Sequence, residues 1–108
     1  MDNRLKKEKD FEKVFKKGQK AFSDTVTVYY LPADECKVGY AVGKKHGKSV
    51  VRNRIKRLLR ASFNTLKNDI TPNYYIIFLP RVKENYSFAI FKRDMKYLLE
   101  KEGILKNA

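Results

Sequence analysis

Between Cys36 and Asn68 the chain carries ten Lys or Arg residues and neither Asp nor Glu. A solvated surface ordinarily mixes both signs of charge, because like charges at helical spacing repel one another. An acid-free block is instead the electrostatic footprint of a polyanion partner. The block holds a lysine-rich loop with Lys44, Lys45 and Lys48, followed by the packed run Arg52, Asn53, Arg54, Lys56, Arg57 and Arg60. The chemistry such residues offer is charge neutralisation and hydrogen bonding to phosphate, and nucleic acid is the expected partner.

The loop Gly43-Lys44-Lys45-His46-Gly47-Lys48-Ser49 joins a strand to a helix, as a nucleotide-binding P-loop does. It is one residue short of the span in which successive backbone N–H groups wrap a nucleotide's phosphates, and the chain has no room for the rest of an NTPase fold. The basic amino terminus of a helix is still a seat for phosphate from another molecule. RNA or DNA backbone fits that seat.

Protein-borne catalysis is not expected. A metal-dependent nuclease clusters carboxylates around ions about 3.5–4 Å apart, whereas here the acids are scattered and the adjacent pair Asp34-Glu35 reads as a polar turn. His46, the one histidine, has no nearby carboxylate and reads as a loop residue near phosphate rather than a general base. Cys36, the one cysteine, lacks a partner for nucleophilic catalysis and reads as an inert strand-end thiol. No Cys/His zinc site and no internal disulfide can be assembled from these two residues.

Aromatics interleave with the charge. Phe11 and Phe15 share one face of the first helix, where pinning the helix to the core and stacking an RNA base are equally open readings. Tyr29 shares a strand face with Thr25 and Thr27, which predicts partial exposure. Such rings serve as platforms for unpaired bases, at about 1–3 kcal/mol per base.

The rest of the chain must position these groups. It has 108 residues, a formal net charge of +13, seven Phe and seven Tyr, and 43% hydrophobic residues. That is enough apolar content for one folded domain over residues 1–108 and too little length for a multi-part enzyme. The segment from Met1 through Asp2 and Asn3 to Lys7 has no apolar run behind its charges, and no stretch of about eighteen apolar residues occurs. A cytoplasmic setting and no membrane partner are expected.

Phe11, Val14 and Phe15 at i, i+3 and i+4, with Gly18 as a stop, predict a helix over Glu8–Lys17. Thr25 to Leu31 and Lys37 to Lys44 read as strands joined by the turn Pro32-Ala33-Asp34-Glu35, a predicted β-hairpin. In the second strand Val38, Tyr40 and Val42 face one way, and the small residues Gly39, Ala41 and Gly43 leave room on the other for a helix or a ligand. From Ser49 to about Leu66, Val51, Ile55, Leu58, Leu59 and Leu66 gather on one side of a helix, and Asn53, Lys56, Arg57, Arg60 and Asn64 on the other. Tyr74 to Leu79, bounded by Pro72 and Pro80, predicts a buried central strand. Ser87 caps a last helix carrying Phe88, Phe91, Met95 and Leu98 and closing near Gly103. The expected order is α-β-β-α-β-α.

The run from Gly47 to Arg60, with Arg52-Asn53-Arg54 at its centre, resembles the signature helix of the bacterial ribonuclease P protein family. Leu5-Lys6-Lys7, Asp10-Phe11 and Val14 to Gly18 are similar to that family's opening. Val38 to Lys45 and Tyr75-Ile76-Ile77 are similar to its strands. Ser49 stands where the family usually has Ala and His46 where an apolar residue is common. The basic residue often found directly after the third strand is displaced by Pro80 to Arg81, which receives no role.

The resemblance implies an α+β sandwich with a mixed sheet and a left-handed β-α-β crossover, of the ribosomal protein S5 domain 2-like kind. General chain physics favours the opposite hand in about 98% of parallel crossovers. It implies the protein subunit of a ribonucleoprotein that removes the 5′ leader of precursor tRNA, with Mg²⁺-dependent hydrolysis carried out by the RNA subunit and Mg²⁺ bound mainly by that RNA and the substrate. It assigns Lys48, Arg52, Asn53, Arg54, Lys56, Arg57 and Arg60 to the RNA subunit and Phe11, Phe15, Tyr29, Lys44 and Lys45 to the leader, with no protein catalytic residue and no small-molecule substrate. The alternative is a small ribosomal or general RNA-binding protein. A DNA-reading helix would need a helix-turn-helix partner, and only a strand precedes Ser49.

The charge alone yields a prediction. A domain this basic is strained by self-repulsion, so bound anions should stabilise it. Its melting temperature should rise in sulfate relative to chloride at matched ionic strength, and equal melting would refute this.

Overall fold

The computed structural model describes residues 4–70 and 73–106. Its elements are α1 (Glu8–Lys17), β1 (Gln19–Phe22), β2 (Val26–Pro32), β3 (Lys37–Tyr40), α2 (Ser49–Asn64), β4 (Tyr74–Pro80) and α3 (Phe88–Lys101), with 3-10 turns at Lys44–His46 and Lys67–Asp69. The strands form one mixed sheet in the order β1-β2-β4-β3. β2 pairs antiparallel with both β1 and β4, and β3 runs parallel to β4. Pro72, expected to fix the start of the central strand, lies outside the described residues, as do Met1, Asp2 and Asn3.

The expected hairpin between the second and third strands does not form. β4 lies between them, and the hairpin partner of β2 is β1, a strand whose four residues carry too little alternation to read from sequence. The reason is in β4 itself: Ile76, Ile77 and Phe78 are all fully buried, which a strand achieves only with neighbours on both edges and cover on both faces. The Pro32–Glu35 segment therefore crosses the end of β4, and Ala33 N donates to the Asn73 carbonyl at 2.8 Å. β3 is also shorter than expected. It ends at Tyr40, with Ala41 N still donating to Phe78 O before the chain leaves the sheet.

One sheet face, carrying Val26, Val28, Tyr30, Val38, Ile76 and Phe78, packs under α2 and α3. α2 contributes Ile55, Leu59, Ser62 and Phe63, whereas Val51, expected in the core, remains 37% exposed. Leu66 is buried, but it lies beyond the helix, which ends at Asn64. Ser62 Oγ donates to the Leu58 carbonyl at 2.7 Å and the Phe88 carbonyl at 3.2 Å, so a small polar residue joins the two helices where a large one would hold them apart.

α3 starts as expected, with Ser87 Oγ accepting from Ile90 N at 3.2 Å. Its buried Asp94 accepts from both the backbone N–H and the hydroxyl of Thr25, which anchors the β1–β2 turn. Tyr30 donates to Glu102 and to Gln19, and its phenol is pushed up to about 12, by burial first and the Glu102 carboxylate second.

The other sheet face receives α1. Val14 and Ile77 are fully buried there with Leu5, and Phe11, Tyr29, Leu31, Ala41 and Tyr75 pack around them. The small-residue side of β3 thus admits a helix: a Cβ on Gly39 would lie 2.6 Å from Phe11 Cζ and 3.2 Å from Leu5 Cβ. Gly43, by contrast, has open space.

Gly18 ends α1 with its N–H on the Val14 carbonyl, and a Cβ there would stand 2.5 Å from Val14 O and 2.6 Å from Tyr30 O. Backbone cannot yield as a side chain can. Gly18→Ala should therefore destabilise the fold by roughly 1–3 kcal/mol, the usual range for overpacking, as read by urea denaturation. An unchanged midpoint would show that α1 is not held this closely.

Candidate nucleic-acid interface

The sheet register lays the residues of the α1 side out in rows. Lys20, Tyr29, Ile77 and Gly39 lie opposite one another, and Phe22, Thr27 and Leu79 form the next row. α1 covers the first row, through Phe11 against Gly39, Val14 beside Ile77 and Phe15 against Tyr29, and the Leu31–Tyr75 row packs into the same cluster. The second row stays open as the floor of a cleft of about 390 Å³, walled by Lys20, Lys45, Arg81 and Val82.

The two helix aromatics divide the readings left open by the sequence. Phe11 is half-buried on Gly39 and pins the helix, with its ring centroid 6.4 Å from that of Phe15. Phe15 is 39% exposed and meets Tyr29 edge-on, with ring centroids 4.8 Å apart. Tyr29 is half-buried, as expected, and Lys20 Nζ lies 5.6 Å from its ring centroid. The structure thus brings Phe11, Phe15 and Tyr29 together beside the cleft, joined to it through Lys20, and none of the three lines it.

The 3-10 turn forms the opposite wall. Lys45 is exposed and lines both this cleft and an adjoining groove of about 610 Å³, where Lys44 also lies. His46 overturns its expected reading as a loop residue near phosphate. Its ring is buried, with Nε2 donating to the Pro80 carbonyl at 2.7 Å and Nδ1 standing 3.3 Å from Gly43 O. A hydrogen-bonded imidazole fills a core position and fastens the lysine turn to the end of β4.

Sequence reading missed Lys20, Phe22, Thr27, Leu79 and Arg81. Phe22 is 62% exposed, with the Arg81 guanidinium 5.9 Å from its ring centroid. Arg81 Nη1 donates to Ser23 O, and Tyr86 accepts from Lys83 N while donating to Arg81 O, so the loop after β4 is tied back on itself. Lys83 pairs with Asp24 at 3.0 Å, which holds that carboxyl below its usual range. Period-two alternation marks Thr27 and Tyr29 as one face. Only the unrecognised strand β1 puts Lys20 and Phe22 beside them.

On α2, Asn53, Arg54, Arg57 and Arg60 are exposed, and Arg52 and Lys56 half-buried. None of these cations, nor Lys48, pairs with a carboxylate among the described residues. Arg52 Nε is buried without a hydrogen-bond partner, and the Arg60 guanidinium lies 5.9 Å from the Tyr40 ring centroid. Burial raises the Tyr40 phenol well above its usual range, with Arg60 opposing. The first turn of α2 has no side-chain cap and no acid, so its backbone N–H groups face outward with Lys48 beside them.

The model of the ribonuclease P family matches residues 1–103. The chain belongs to the ribonuclease P protein family. It is 42% identical to the ribonuclease P protein component of Oceanobacillus iheyensis, over 96% of this chain and 89% of that protein. The Bacillus velezensis protein component is 37% identical, over 98% of this chain and 94% of its own length. The solved Staphylococcus aureus RNase P protein superposes with a TM-score of 0.85 at 27% identity, covering 98% of this chain and all of that one. The Thermotoga maritima protein superposes with a TM-score of 0.81 at 28% identity, covering 91% and 96% of the two chains.

Within this ribonuclease P protein the residues expected to touch RNA form two surfaces, the basic face of α2 and the aromatic cleft, with the Lys44–Lys48 loop between them. No group of three or more His, Cys, Asp or Glu side chains able to hold a metal occurs among the described residues. Cys36 is half-buried and its thiol is pushed up by that burial, away from the reactive thiolate. No described helix is long and apolar enough to cross a membrane.

The division between Phe11 and Phe15 is measurable in urea. Phe11→Ala should destabilise the fold by about 2–4 kcal/mol, because it empties a packed site under α1. Phe15→Ala should cost less than about 1 kcal/mol, since its ring is largely at the surface. Equal losses would mean that both rings are structural.

Proposed function

We propose that this chain binds the RNA subunit of ribonuclease P through Lys48, Arg52, Asn53, Arg54, Lys56, Arg57 and Arg60, and holds the single-stranded 5′ leader of precursor tRNA in the cleft between α1 and the Lys44–His46 turn. The observation that carries this reading is the pairing of an acid-free basic helix with a separate cleft floored by Phe22, Thr27 and Leu79 beside the Phe15–Tyr29 pair, on a chain of this family. A rigid, continuous row of cations suits the phosphates of a structured RNA. Exposed rings set among lysines suit unpaired bases.

The residues divide the work. Phe15, Tyr29 and Phe22 offer ring surface to leader bases, while Lys20, Lys45 and Arg81 neutralise leader phosphates. Lys44, in the groove that adjoins the cleft, extends that neutralisation toward α2. Phe11 holds α1 at the distance that keeps the cleft open. Hydrolysis of the phosphodiester is assigned to the RNA subunit, with Mg²⁺ held mainly by that RNA and the substrate. By offsetting phosphate repulsion and fixing the leader, the protein lets those ions bind productively at lower Mg²⁺. The setting is the cytoplasm, where precursor tRNA would be met.

Two variants test the division. Tyr29→Ala should weaken binding of leader-bearing precursor by about 1–3 kcal/mol while leaving mature tRNA nearly unaffected. Arg57→Ala should weaken assembly with the RNA subunit and reduce its salt dependence by roughly one phosphate contact. Cleavage of precursor tRNA by the RNA subunit at low Mg²⁺, with and without the protein at fixed salt, reads out both. Indistinguishable variants would remove the cleft assignment. Salt-dependent RNA binding with no stimulation of cleavage would leave a general RNA-binding protein.

A further inference from the structure

β3 is an edge strand, and the Arg4–Leu5 segment follows its outer edge to Val38, where Leu5 N donates to the Val38 carbonyl at 2.9 Å. At Tyr40, beyond that cover, two hollows meet. One, of about 610 Å³, includes Lys44, Lys45 and Leu79 and so continues the leader cleft. The other, of about 130 Å³, includes Phe11 on the α1 side and Arg60 on the α2 side. Both are lined by Tyr40 and Lys56, the smaller also by Arg4, and neither by a carboxylate among the described residues. They form a continuous path around the edge of the sheet, from the cleft to the basic helix.

Tyr40 is fixed at the middle of that path. One face of its ring stacks on Phe78, with centroids 6.1 Å apart and planes 19° apart, and the Arg60 guanidinium lies over the ring at 5.9 Å. With the ring held between Phe78 and Arg60, it offers no platform to a base. What remains is the phenolic O–H, which makes no hydrogen bond to any described residue; Tyr40 lines both hollows, with Lys56 in each and Arg60 in the smaller. A neutral hydroxyl donor in a hollow shared with an ammonium and a guanidinium suits an anionic oxygen.

We propose that the Tyr40 hydroxyl, together with Lys56 and Arg60, is a phosphate seat that grips one phosphodiester of the RNA strand where it passes from the cleft over the edge of β3 to α2. This rests on the proposed leader-binding function, shares Lys56 and Arg60 between the precursor and the RNA subunit at the joint of the two RNA surfaces, and assigns Tyr40 a positioning role there. The stacked ring holds the donor in place before RNA arrives, so little side-chain freedom is lost on binding.

The test uses the assembled ribonucleoprotein and a set of precursor tRNAs, each with one phosphate of the leader or of the first tRNA nucleotides replaced by an uncharged methylphosphonate. With wild-type protein, one position should weaken binding by about tenfold, as expected for loss of a hydrogen bond to a charged group. Tyr40→Phe, which keeps both ring contacts and should melt unchanged, ought to bind the unmodified precursor about tenfold more weakly and to lose its sensitivity at that position alone. Lys56→Gln, which leaves the phenol in place, should blunt the same position. Identical methylphosphonate profiles for wild type and Tyr40→Phe would overturn the seat while leaving leader binding standing. A wild-type complex that binds precursor and mature tRNA equally would overturn the leader reading and the seat with it.

Discussion

The structure depends on the burial of one strand. β4 places Ile76, Ile77 and Phe78 out of water on both faces and pairs along both edges, so every other element is arranged to cover it. α2 and α3 suffice for one face because together they span the sheet. On the other face the cover is α1, a helix of ten residues, packed over the Tyr29–Ile77 and Leu31–Tyr75 rows. The uncovered row, Phe22, Thr27 and Leu79, becomes the floor of the cleft. The cleft is thus the part of a sheet that a short helix leaves open.

The walls of that cleft are held by contacts that carry no net charge to the site. His46 fastens the lysine turn to Pro80, Tyr86 and Ser23 fix the loop bearing Arg81, and Asp94 anchors the β1–β2 turn through Thr25. His46 and Tyr86 are polar side chains satisfied by backbone, whereas Arg81 itself donates to the Ser23 carbonyl and Asp94 pairs with Arg93 as well as Thr25. Among the described residues, Lys45 and the α2 arginines are left without carboxylate partners. The domain carries that repulsion until a polyanion relieves it. Stability comes from the apolar core, and affinity from charges the core does not neutralise.

Much of this was legible in the order of residues. The three helices, the Ser87 cap, the central burial of Tyr74–Leu79 and the acid-free block all follow from local patterning, where a hydrophobic period or a charge count needs no partner to be read. Tyr29 was placed by alternation alone. The small side of β3 was recognised as an approach, though its occupant, Phe11, was not. Strand pairing was misread, because Pro32 to Glu35 looks the same whether the chain turns back beside β2 or crosses the end of β4. Which occurs depends on a strand forty residues away that needs two neighbours.

The sequence by itself determined the chemistry the chain presents: ten cations with no acid among them and interleaved rings suit a polyanion wherever they fall. Only the tertiary structure decided how the candidate site is built. β1 brings Lys20 and Phe22 beside Thr27 and Tyr29, the buried His46 fastens the turn that bears Lys45 at the cleft, and the β3 edge sets Tyr40 in one hollow with Lys56 and Arg60. The physical reason is that charge is a property of residues, whereas a cleft is a property of what packing leaves uncovered.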